Sequence, residues 1–377
     1  MRIEDQVLDR ILPNVQKPGR YTGGEYNSIV KEWDAVDVKV ALAFPEVYDL
    51  GMSNLGLAIL YDILNKDVNV LAERVYVPWP DMEAALREAG LPLYSLETHH
   101  ALNDFDLIGI TLPYEQLYSN VLTLLDLGSL PLLSTARNER YPLVIAGGNA
   151  VFNPEPMGDF IDIFVIGEGE QVMLEIVEAY REVRDANRDT QLRRMASIPG
   201  VYVPRLYAPS YFEDGTLDKI EPLVEEAEPH IVKRITPVMP PPVTRFIVPF
   251  VDVVFNRASI EIQRGCTRGC RFCQAGMIFR PVRERSVEEI IETVDAIVRE
   301  TGYEEIGLLS LSSTDYTNIG PLVKALSEKY EDRSLSLSLP SSRVESVTVD
   351  LVDMLAHGRK TGFTFAPEAA TDRMRDV

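Results

Sequence analysis

The stretch Arg264–Gly276, RGCTRGCRFCQAG, contains Cys266, Cys270 and Cys273, which are the only cysteines among the 377 residues. Three is an odd number, and the spacing Cys-x3-Cys-x2-Cys is too tight for a disulfide framework. Thiols grouped in this way in a reducing compartment more often bind metal than form disulfides. The stretch therefore predicts a metal centre.

Three kinds of centre compete for these thiols. Structural zinc takes four protein ligands, so one of the four histidines, of which His230 and His357 are nearest, or a carboxylate would have to supply the fourth. A redox Cys-x2-Cys pair would leave Cys266 without a role. An iron–sulfur cluster that only carries electrons takes four thiolates, whereas three thiolates leave one iron open to bind a small molecule. The absence of a fourth cysteine from the sequence favours the open cluster.

The cysteines follow the first of several short apolar runs that alternate with helical patterns. The alternation predicts helices at 286–301, 321–329 and 349–355. Strands that alternate with helices in this way are typical of a β/α barrel. The predicted strands are ASIEIQRG (258–265), EIGLLSLSS (305–313), LSLSLPS (335–341) and GFTFAPE (362–368). A full barrel of eight units needs about 250 residues. Residues 255–377 therefore predict a partial barrel, truncated after about four strands, with an exposed sheet edge.

A second α/β pattern precedes the cysteines. Continuous apolar runs separated by helical stretches predict a doubly wound parallel sheet over residues 38–185. The predicted strands are 38–45, 68–78, 106–113, 143–148 and 161–167, with helices near 54–64, 81–89, 115–127 and 170–184. Residues 1–37 are predicted to form an irregular arm. Residues 186–254 are predicted to form a connector, with a hairpin and the proline-rich run TPVMPPPVT (236–244), since proline fixes φ and removes a donor.

Glycine-rich turns end three of these strands. Ligands of open α/β sheets bind beyond the carboxyl ends of the strands, where glycine permits close approach of the backbone. These turns therefore predict a ligand crevice, although ordinary strand–helix turns remain an alternative. The candidate crevice residues are Gly51, Ser53, Asn54, Gly147, Gly148, Gly167 and Glu168.

The cysteine motif, with Phe272 directly before the third cysteine and a strand before the first, resembles the radical S-adenosylmethionine (radical SAM) superfamily. The resemblance implies that Cys266, Cys270 and Cys273 hold a 4Fe–4S cluster. It also implies that the open iron binds the amino and carboxylate groups of S-adenosylmethionine. One electron then cleaves the sulfonium to methionine and a 5′-deoxyadenosyl radical, which takes a hydrogen atom from a substrate.

The composition of the loop suits a cluster. Gly265 and Gly269 let the backbone wrap tightly around a cofactor. Arg264, Arg268 and Arg271 are expected to balance an anionic cluster and to hydrogen-bond its sulfur atoms, which tunes the reduction potential.

Other positions match the places where the family binds S-adenosylmethionine. The turn SLSSTDY stands where the family usually has a Gly-Gly-Glu-like turn, although the two glycines are missing here. Arg343 suits a carboxylate because guanidinium binds carboxylate through two hydrogen bonds. Arg280 and Arg283 fit either this site or a solvated turn. The candidate residues for cofactor binding are Phe272, Ser312, Ser313, Asp315, Ser342, Arg343 and Glu368.

The order of the domains resembles the branch of radical SAM enzymes that carry a cobalamin-binding domain. The Asp-x-His-x-x-Gly signature, whose histidine ligates cobalt, is absent, and His99 and His100 lack its spacing. Two alternatives follow: cobalamin binds without a protein ligand, or the fold persists without cobalamin. The cofactors implied by the resemblance are therefore a 4Fe–4S cluster and S-adenosylmethionine, with cobalamin as a candidate.

The distribution of charged residues limits which partners the protein can bind. The net charge of −21 argues against general nucleic-acid binding, but residues 230–285 contain ten Lys or Arg and only three Asp or Glu. This basic island suits an anionic cluster or RNA. The chain lacks an apolar run of 18 residues and an apolar N-terminal leader, so we expect a cytoplasmic protein without a membrane anchor.

These features predict a radical SAM enzyme that acts on an unknown substrate by methyl transfer or RNA modification. The resemblance also implies a one-electron donor of the flavodoxin or ferredoxin kind. The alternative is a non-catalytic ligand-binding module that a metal stabilises.

Overall fold

The computed structural model describes residues 3–333, 335–343, 347–349, 351 and 368–376. The chain divides into two compact units. The first comprises Met1–Thr236 and Pro249–Val254, and the second comprises Pro237–Val248 and Phe255–Val377. Residues 186–236, which the sequence assigned to a connector, thus fall within the first unit. Phe255 is where the main segment of the second unit begins.

A six-stranded sheet forms the centre of the first unit. Its strand order is β2-β1-β3-β4-β5-β6, with β1 to β5 parallel and β6 antiparallel. The strands are β1 (Val38–Phe44), β2 (Val70–Tyr76), β3 (Leu107–Thr111), β4 (Leu143–Gly147), β5 (Ile163–Val165) and β6 (Val201–Tyr202). The order reverses between β1 and β3, which is the switch point where open sheets of this kind bind ligands.

Helices cover both faces of this sheet, so its strands are mostly apolar, with Glu73 and Arg74 of β2 as buried exceptions. All seven residues of β2 are buried. Helix Tyr118–Leu127 packs in one core cluster with Ala41 and Ile108. Met173, on the opposite face, lies beside Leu42 and Gly109. The helices are Leu55–Lys66, Pro80–Ala89, Tyr118–Leu127, Gly169–Val183 and Arg188–Ala196, with a single turn at Tyr48–Gly51.

The predicted doubly wound class is confirmed, and all five predicted strands and all four predicted helices are present. The sequence missed helix Arg188–Ala196 and strand β6. This helix is rich in arginine and buries few apolar side chains, chiefly Leu192 and Met195, so its apolar periodicity is weak. The predicted irregular arm begins as two helical segments, Ile3–Gln6 and Val7–Ile11, before single 3-10 turns.

The predicted hairpin is present in the first unit. Strands β7 (Tyr207–Tyr211) and β8 (Leu217–Pro222) pair antiparallel. In the turn between them the N–H of Phe212 donates to the carbonyl of Thr216 and the N–H of Gly215 donates to the carbonyl of Phe212, and Gly215 adopts a φ of 83°. Glycine reaches this conformation without the steric cost that other residues meet.

The second unit contains a parallel sheet of three strands, in the order β13-β12-β9. They are β9 (Ala258–Glu261), β12 (Glu305–Leu309) and β13 (Ser336–Ser338), and two short strands, β10 (Gln263–Arg264) and β11 (Arg283–Glu284), form a separate ladder. The long helices are Val287–Thr301 and Ile319–Lys329, with short helices at Ala275–Ile278 and Asp372–Asp376.

The β/α rhythm of the second unit is confirmed for the first three predicted strands and the two helices between them. Within the described residues the sheet stays open and does not close into a barrel. The fourth predicted strand, 362–368, lies outside the described residues except for its last position, and helix 349–355 lies mostly outside them. Across the described part of the chain, no helix combines the length and the apolar character needed to cross a membrane.

Candidate functional site

The cysteine loop is an excursion from the sheet of the second unit. The chain leaves the sheet after β9, runs through Arg264 into the loop, and returns at Arg283. The antiparallel ladder of β10 and β11 closes the base of this excursion, with Gln263 opposite Glu284. The main-chain N–H of Thr317 donates to the Glu284 carboxylate over 3.0 Å, which ties the ladder to the turn after β12.

The loop requires glycine at position 265, because a residue with a side chain would be strained there. Its φ is +88°, and a Cβ atom there would lie 2.6 Å from the carbonyl oxygen of Phe279 and 2.7 Å from that of Pro281. The requirement is therefore both conformational and steric. Gly269 also adopts a positive φ, +71°, but a Cβ atom there would have only ordinary contacts.

The three thiols lie on this loop and are half-buried. The N–H of Arg268 points to the sulfur of Cys266 at 3.5 Å, and the N–H of Gly276 to that of Cys273 at 3.3 Å. Hydrogen bonds to sulfur are among the features that tune iron–sulfur clusters. Within the described residues, no three His, Cys, Asp or Glu side chains converge closely enough to hold a metal ion. The residue types and the glycine-dependent loop nevertheless fit a cluster held by three thiolates.

The three loop arginines have different surroundings. Arg264 is buried and binds Glu261 through two hydrogen bonds of 2.9 and 2.8 Å. Arg268 forms a two-pronged ion pair with Asp315, in which its Nε lies 2.9 Å from the carboxylate. Arg271 is exposed. Two of the three arginines expected to balance a cluster thus hold carboxylates of the protein itself.

An open pocket of about 480 Å³ adjoins Cys266. It brings together Ser312 and Asp315, which the sequence predicted, with Gln263, Glu284 and Thr317, which the sequence did not single out. No sequence motif marks Gln263 or Glu284, because they meet only through the ladder at the base of the loop. The remainder of the lining is Gly265, Thr267, Arg268 and Val282.

Asp315 is held as a carboxylate. Burial raises its pKa, but the hydrogen bonds from Arg268 and the positive charges of Arg268 and Arg343 outweigh burial and leave the pKa below its ordinary value. Its side chain is 12% exposed. The charged form is therefore present in the pocket at neutral pH.

The other predicted cofactor-binding residues are not among the residues that line this pocket. The Ser313 hydroxyl is buried and donates to the carbonyl of Leu308, and the Ser342 hydroxyl donates to the carbonyl of Leu339. The N–H of Arg343 donates to the Thr314 hydroxyl. Phe272 is 72% exposed on the cysteine loop. Glu368 is exposed and has a φ of 62°.

Most glycines predicted to line a crevice in the first unit make room for the chain itself. A Cβ atom on Gly51 would lie 2.4 Å from the ring of Tyr76, on Gly148 2.5 Å from the carbonyl oxygen of Leu112, and on Gly167 2.3 Å from that of Arg234. A Cβ atom on Gly147 would have no neighbour within 4 Å. Gly147 alone among these four glycines therefore faces open space.

The polar crevice candidates also have partners in the chain. The Asn54 side chain accepts from the N–H of Leu57 at 2.9 Å and caps helix Leu55–Lys66, as expected for asparagine at this position. The Glu168 carboxylate accepts from the N–H of Thr236 at 2.6 Å. Ser53 follows the turn at Tyr48–Gly51, beyond the end of β1.

His99 and His100, which lack the cobalt-binding spacing, pack against other side chains of the first unit. His100 stacks on Trp33 with ring centroids 3.6 Å apart, and its Nδ1 lies 2.7 Å from the Thr98 hydroxyl. Burial lowers the pKa of His99 and of His100.

Two family profiles match this chain. The profile described as radical SAM proteins, N-terminal, matches residues 56–204, which include β2 to β6. The profile described as radical SAM superfamily matches residues 260–377, which begin in β9 and include the cysteine loop.

Curated relatives cover different parts of the chain. An uncharacterized protein of Methanocaldococcus jannaschii is 25% identical over 341 residues, which are 89% of this chain and 62% of that protein. The anaerobic magnesium-protoporphyrin IX monomethyl ester cyclase of Cereibacter sphaeroides is 25% identical over 158 residues, which are 42% of this chain and 22% of that protein. The chain thus spans about three fifths of the first relative's length.

The fold is similar to that of the radical S-adenosylmethionine methyltransferase TsrM from Kitasatospora setae, solved with cobalamin and a [4Fe-4S] cluster bound. The TM-score is 0.53 at 17% identity, and the match covers 85% of this chain and 59% of the other. Such low identity establishes a likeness of fold alone. The two family profiles show that the chain belongs to the radical SAM superfamily, and a doubly wound unit with a cobalamin-binding-like fold precedes its cysteine loop.

Proposed function

We propose that this chain is the part of a radical SAM enzyme that cleaves S-adenosylmethionine to methionine and a 5′-deoxyadenosyl radical, which then takes a hydrogen atom from a substrate. The observation that carries the proposal is the position of Cys266, on a glycine-dependent loop beside a pocket that contains Asp315 and Ser312. A purely structural metal site would have no need of such a pocket.

Each group of residues has a separate task in this proposal. Cys266, Cys270 and Cys273 would hold a 4Fe–4S cluster, which supplies one electron and an open iron site when bound. The Asp315 carboxylate and Ser312 would accept hydrogen bonds from the amino group of S-adenosylmethionine. Arg343 and Ser342 would bind its carboxylate or ribose. Phe272, Ser313 and Glu368 would complete the contacts.

Anaerobic reconstitution of the full chain with iron and sulfide tests the proposal. We expect a brown protein whose reduced cluster changes its electron paramagnetic resonance spectrum when S-adenosylmethionine is added, with 5′-deoxyadenosine as a product. A variant with Cys266, Cys270 and Cys273 replaced by alanine serves as the control and should bind no cluster. A colourless protein with one zinc ion, or a cluster that does not respond to S-adenosylmethionine, would instead support the metal-stabilised binding module.

We also propose that the first unit binds cobalamin, which would make methyl transfer the reaction class. The support is the switch point between β1 and β3, the open space in front of Gly147, and the likeness of fold to a methyltransferase that contains cobalamin.

The substrate class that fits the basic island at residues 230–285 is anionic, such as RNA. A cytoplasmic flavodoxin- or ferredoxin-like protein would supply the electron.

A further inference from the structure

The side chain of Gln263 is buried at the wall of the pocket beside Cys266. It is only 6% exposed, and its carboxamide oxygen has no hydrogen-bond partner among the described residues. The ladder with Glu284 occupies the main chain of Gln263 but leaves this oxygen free. Buried polar atoms in folded proteins almost always have a partner, because an unmet hydrogen bond costs free energy. The oxygen therefore lacks a hydrogen-bond donor, and a ligand can supply one.

Another buried glutamine shows how this chain treats such side chains elsewhere. Gln191 is 2% exposed, and its amide nitrogen donates to the carbonyls of Val183 and Arg184 at 3.4 and 3.1 Å. Gln191 lies far from the cysteine loop in sequence and has partners within its own unit. Gln191 thus differs from Gln263, whose carboxamide oxygen has no hydrogen-bond partner among the described residues.

The chemistry of the pocket indicates which ligand group meets this oxygen. Two carboxylates, of Glu284 and Asp315, and the Ser312 hydroxyl line the same space, against a single cation, Arg268. One oxygen of Glu284 already accepts from the N–H of Thr317, and Asp315 accepts from Arg268. Hydrogen-bond acceptors therefore predominate. An amino group can donate to such acceptors, whereas a carboxylate has no proton to donate to the Gln263 oxygen.

We propose that Gln263 is a binding residue for S-adenosylmethionine, whose amino group donates a hydrogen bond to the Gln263 carboxamide oxygen in the pocket beside Cys266. The inference rests on the proposed function and deepens it. It assigns Gln263, on the strand that leads into the cysteine loop, to the same end of the ligand as Asp315 on the turn after β12.

Binding of S-adenosylmethionine to the reconstituted, unreduced full chain tests this assignment without turnover. Isothermal titration calorimetry under anaerobic conditions should show about tenfold weaker binding for Gln263→Leu, the loss expected for one buried hydrogen bond. Gln263→Glu keeps an acceptor oxygen and should bind within about threefold of the unaltered chain. An S-adenosyl analogue without the amino group should bind the unaltered chain and Gln263→Leu equally.

Thermal unfolding separates a binding role from a structural one. Gln263→Leu removes an unsatisfied buried oxygen, so its Tm should equal or exceed that of the unaltered chain. The control, Gln191→Leu, removes two hydrogen bonds that the folded chain makes, so its Tm should fall while its affinity for S-adenosylmethionine stays unchanged.

The outcomes distinguish this inference from the function on which it rests. If Gln263→Leu retains iron and binds S-adenosylmethionine as tightly as the unaltered chain, the assignment is wrong and the proposed function stands. If Gln263→Leu loses its iron or its Tm falls, Gln263 has a structural role and the assignment is again wrong. If the unaltered chain takes up no cluster or ignores S-adenosylmethionine, the proposed function itself fails.

Discussion

At the scale of single residues, the spacing of the cysteines was readable from the sequence, but the partners of the charged side chains were not. Arg268 was expected to face a cluster, yet it pairs with Asp315, which lies 47 positions later. No local pattern connects these two residues. Their contact depends on how the cysteine loop returns to the sheet, so it becomes visible only in the folded chain.

Glu73 is a second residue whose surroundings decide its chemistry. It lies on β2, is fully buried, and accepts a hydrogen bond of 2.8 Å from the Thr98 hydroxyl. Burial, together with the nearby charge of Glu97, raises the pKa of Glu73 from 4.5 to about 7. The folded chain therefore binds this proton more tightly than the unfolded chain does.

The raised pKa of Glu73 predicts how stability depends on pH. Its contribution is fully present below about pH 4.5 and is lost as the pH rises towards 7, at a cost of about 3 kcal/mol in the free energy of unfolding. Glu73→Gln carries no charge at either end, so it should be about as stable as the unaltered chain at pH 5 and more stable at pH 8. Urea unfolding at the two pH values measures this.

An exposed glutamate on helix Pro80–Ala89 provides the control for the change of charge. Glu88→Gln should alter the free energy of unfolding by the same small amount at both pH values. Equal pH dependence in Glu73→Gln and the unaltered chain would contradict the prediction.

At the scale of elements, apolar periodicity predicted five strands and four helices of the first unit, and three strands and two helices of the second, within a few residues. The cysteine loop was predicted to follow the first strand of the second unit, but the ladder of β10 and β11 that closes it was not predicted. The two strands are only two residues long each, and 18 residues separate them, which is too little pattern to recognise in a sequence. The ladder matters because it places Gln263 and Glu284 side by side in the pocket.

The conformation of Gly265 makes the loop sensitive to a single methyl group. Gly265→Ala would force a Cβ atom against the carbonyl oxygens of Phe279 and Pro281 and would strain a positive φ, at a cost of roughly 1–3 kcal/mol. We expect the variant to fold, because the loop lies outside the core, but to take up much less iron on reconstitution. Iron and sulfide analysis per chain provides the measurement.

Gly320 offers a matched control in the same unit. It lies in the first turn of helix Ile319–Lys329, and apart from its chain neighbours a methyl group added there would have no neighbour within 4 Å, so Gly320→Ala should retain full iron. If Gly265→Ala takes up as much iron as Gly320→Ala, the close packing of the loop is unimportant for the cluster.

At the scale of the whole molecule, the chain joins a doubly wound unit to a second unit that contains the cysteine loop. The ligand crevice in the first unit stays a prediction, and the folded chain shows which of its glycines have open space beside them. Gly51, Gly148 and Gly167 accommodate the chain's own atoms, which leaves Gly147 at the open end of β4. A glycine pattern cannot distinguish room for a ligand from room for the backbone, because both require the same missing side chain.

The proposal that the first unit binds cobalamin leads to a test at Gly147. Addition of hydroxocobalamin to the full chain should give a bound visible spectrum after gel filtration. Gly147→Val adds a branched side chain that suits a strand and whose Cβ atom would have no neighbour within 4 Å apart from its chain neighbours, so Tm should be unchanged while bound cobalamin is lost. Retention of cobalamin by Gly147→Val would show that the crevice is not the site.

The sequence by itself determined the alternation of strands and helices and the positions of the three thiols, because both are patterns of neighbouring residues. Tertiary structure alone decided that Gln263, Glu284 and Asp315 share a pocket, and that Arg268 belongs to Asp315. These contacts join residues from separate elements, and the free energy that forms them comes from packing the loop against the sheet. The local propensities of the residues do not depend on that packing, so they could not predict these contacts.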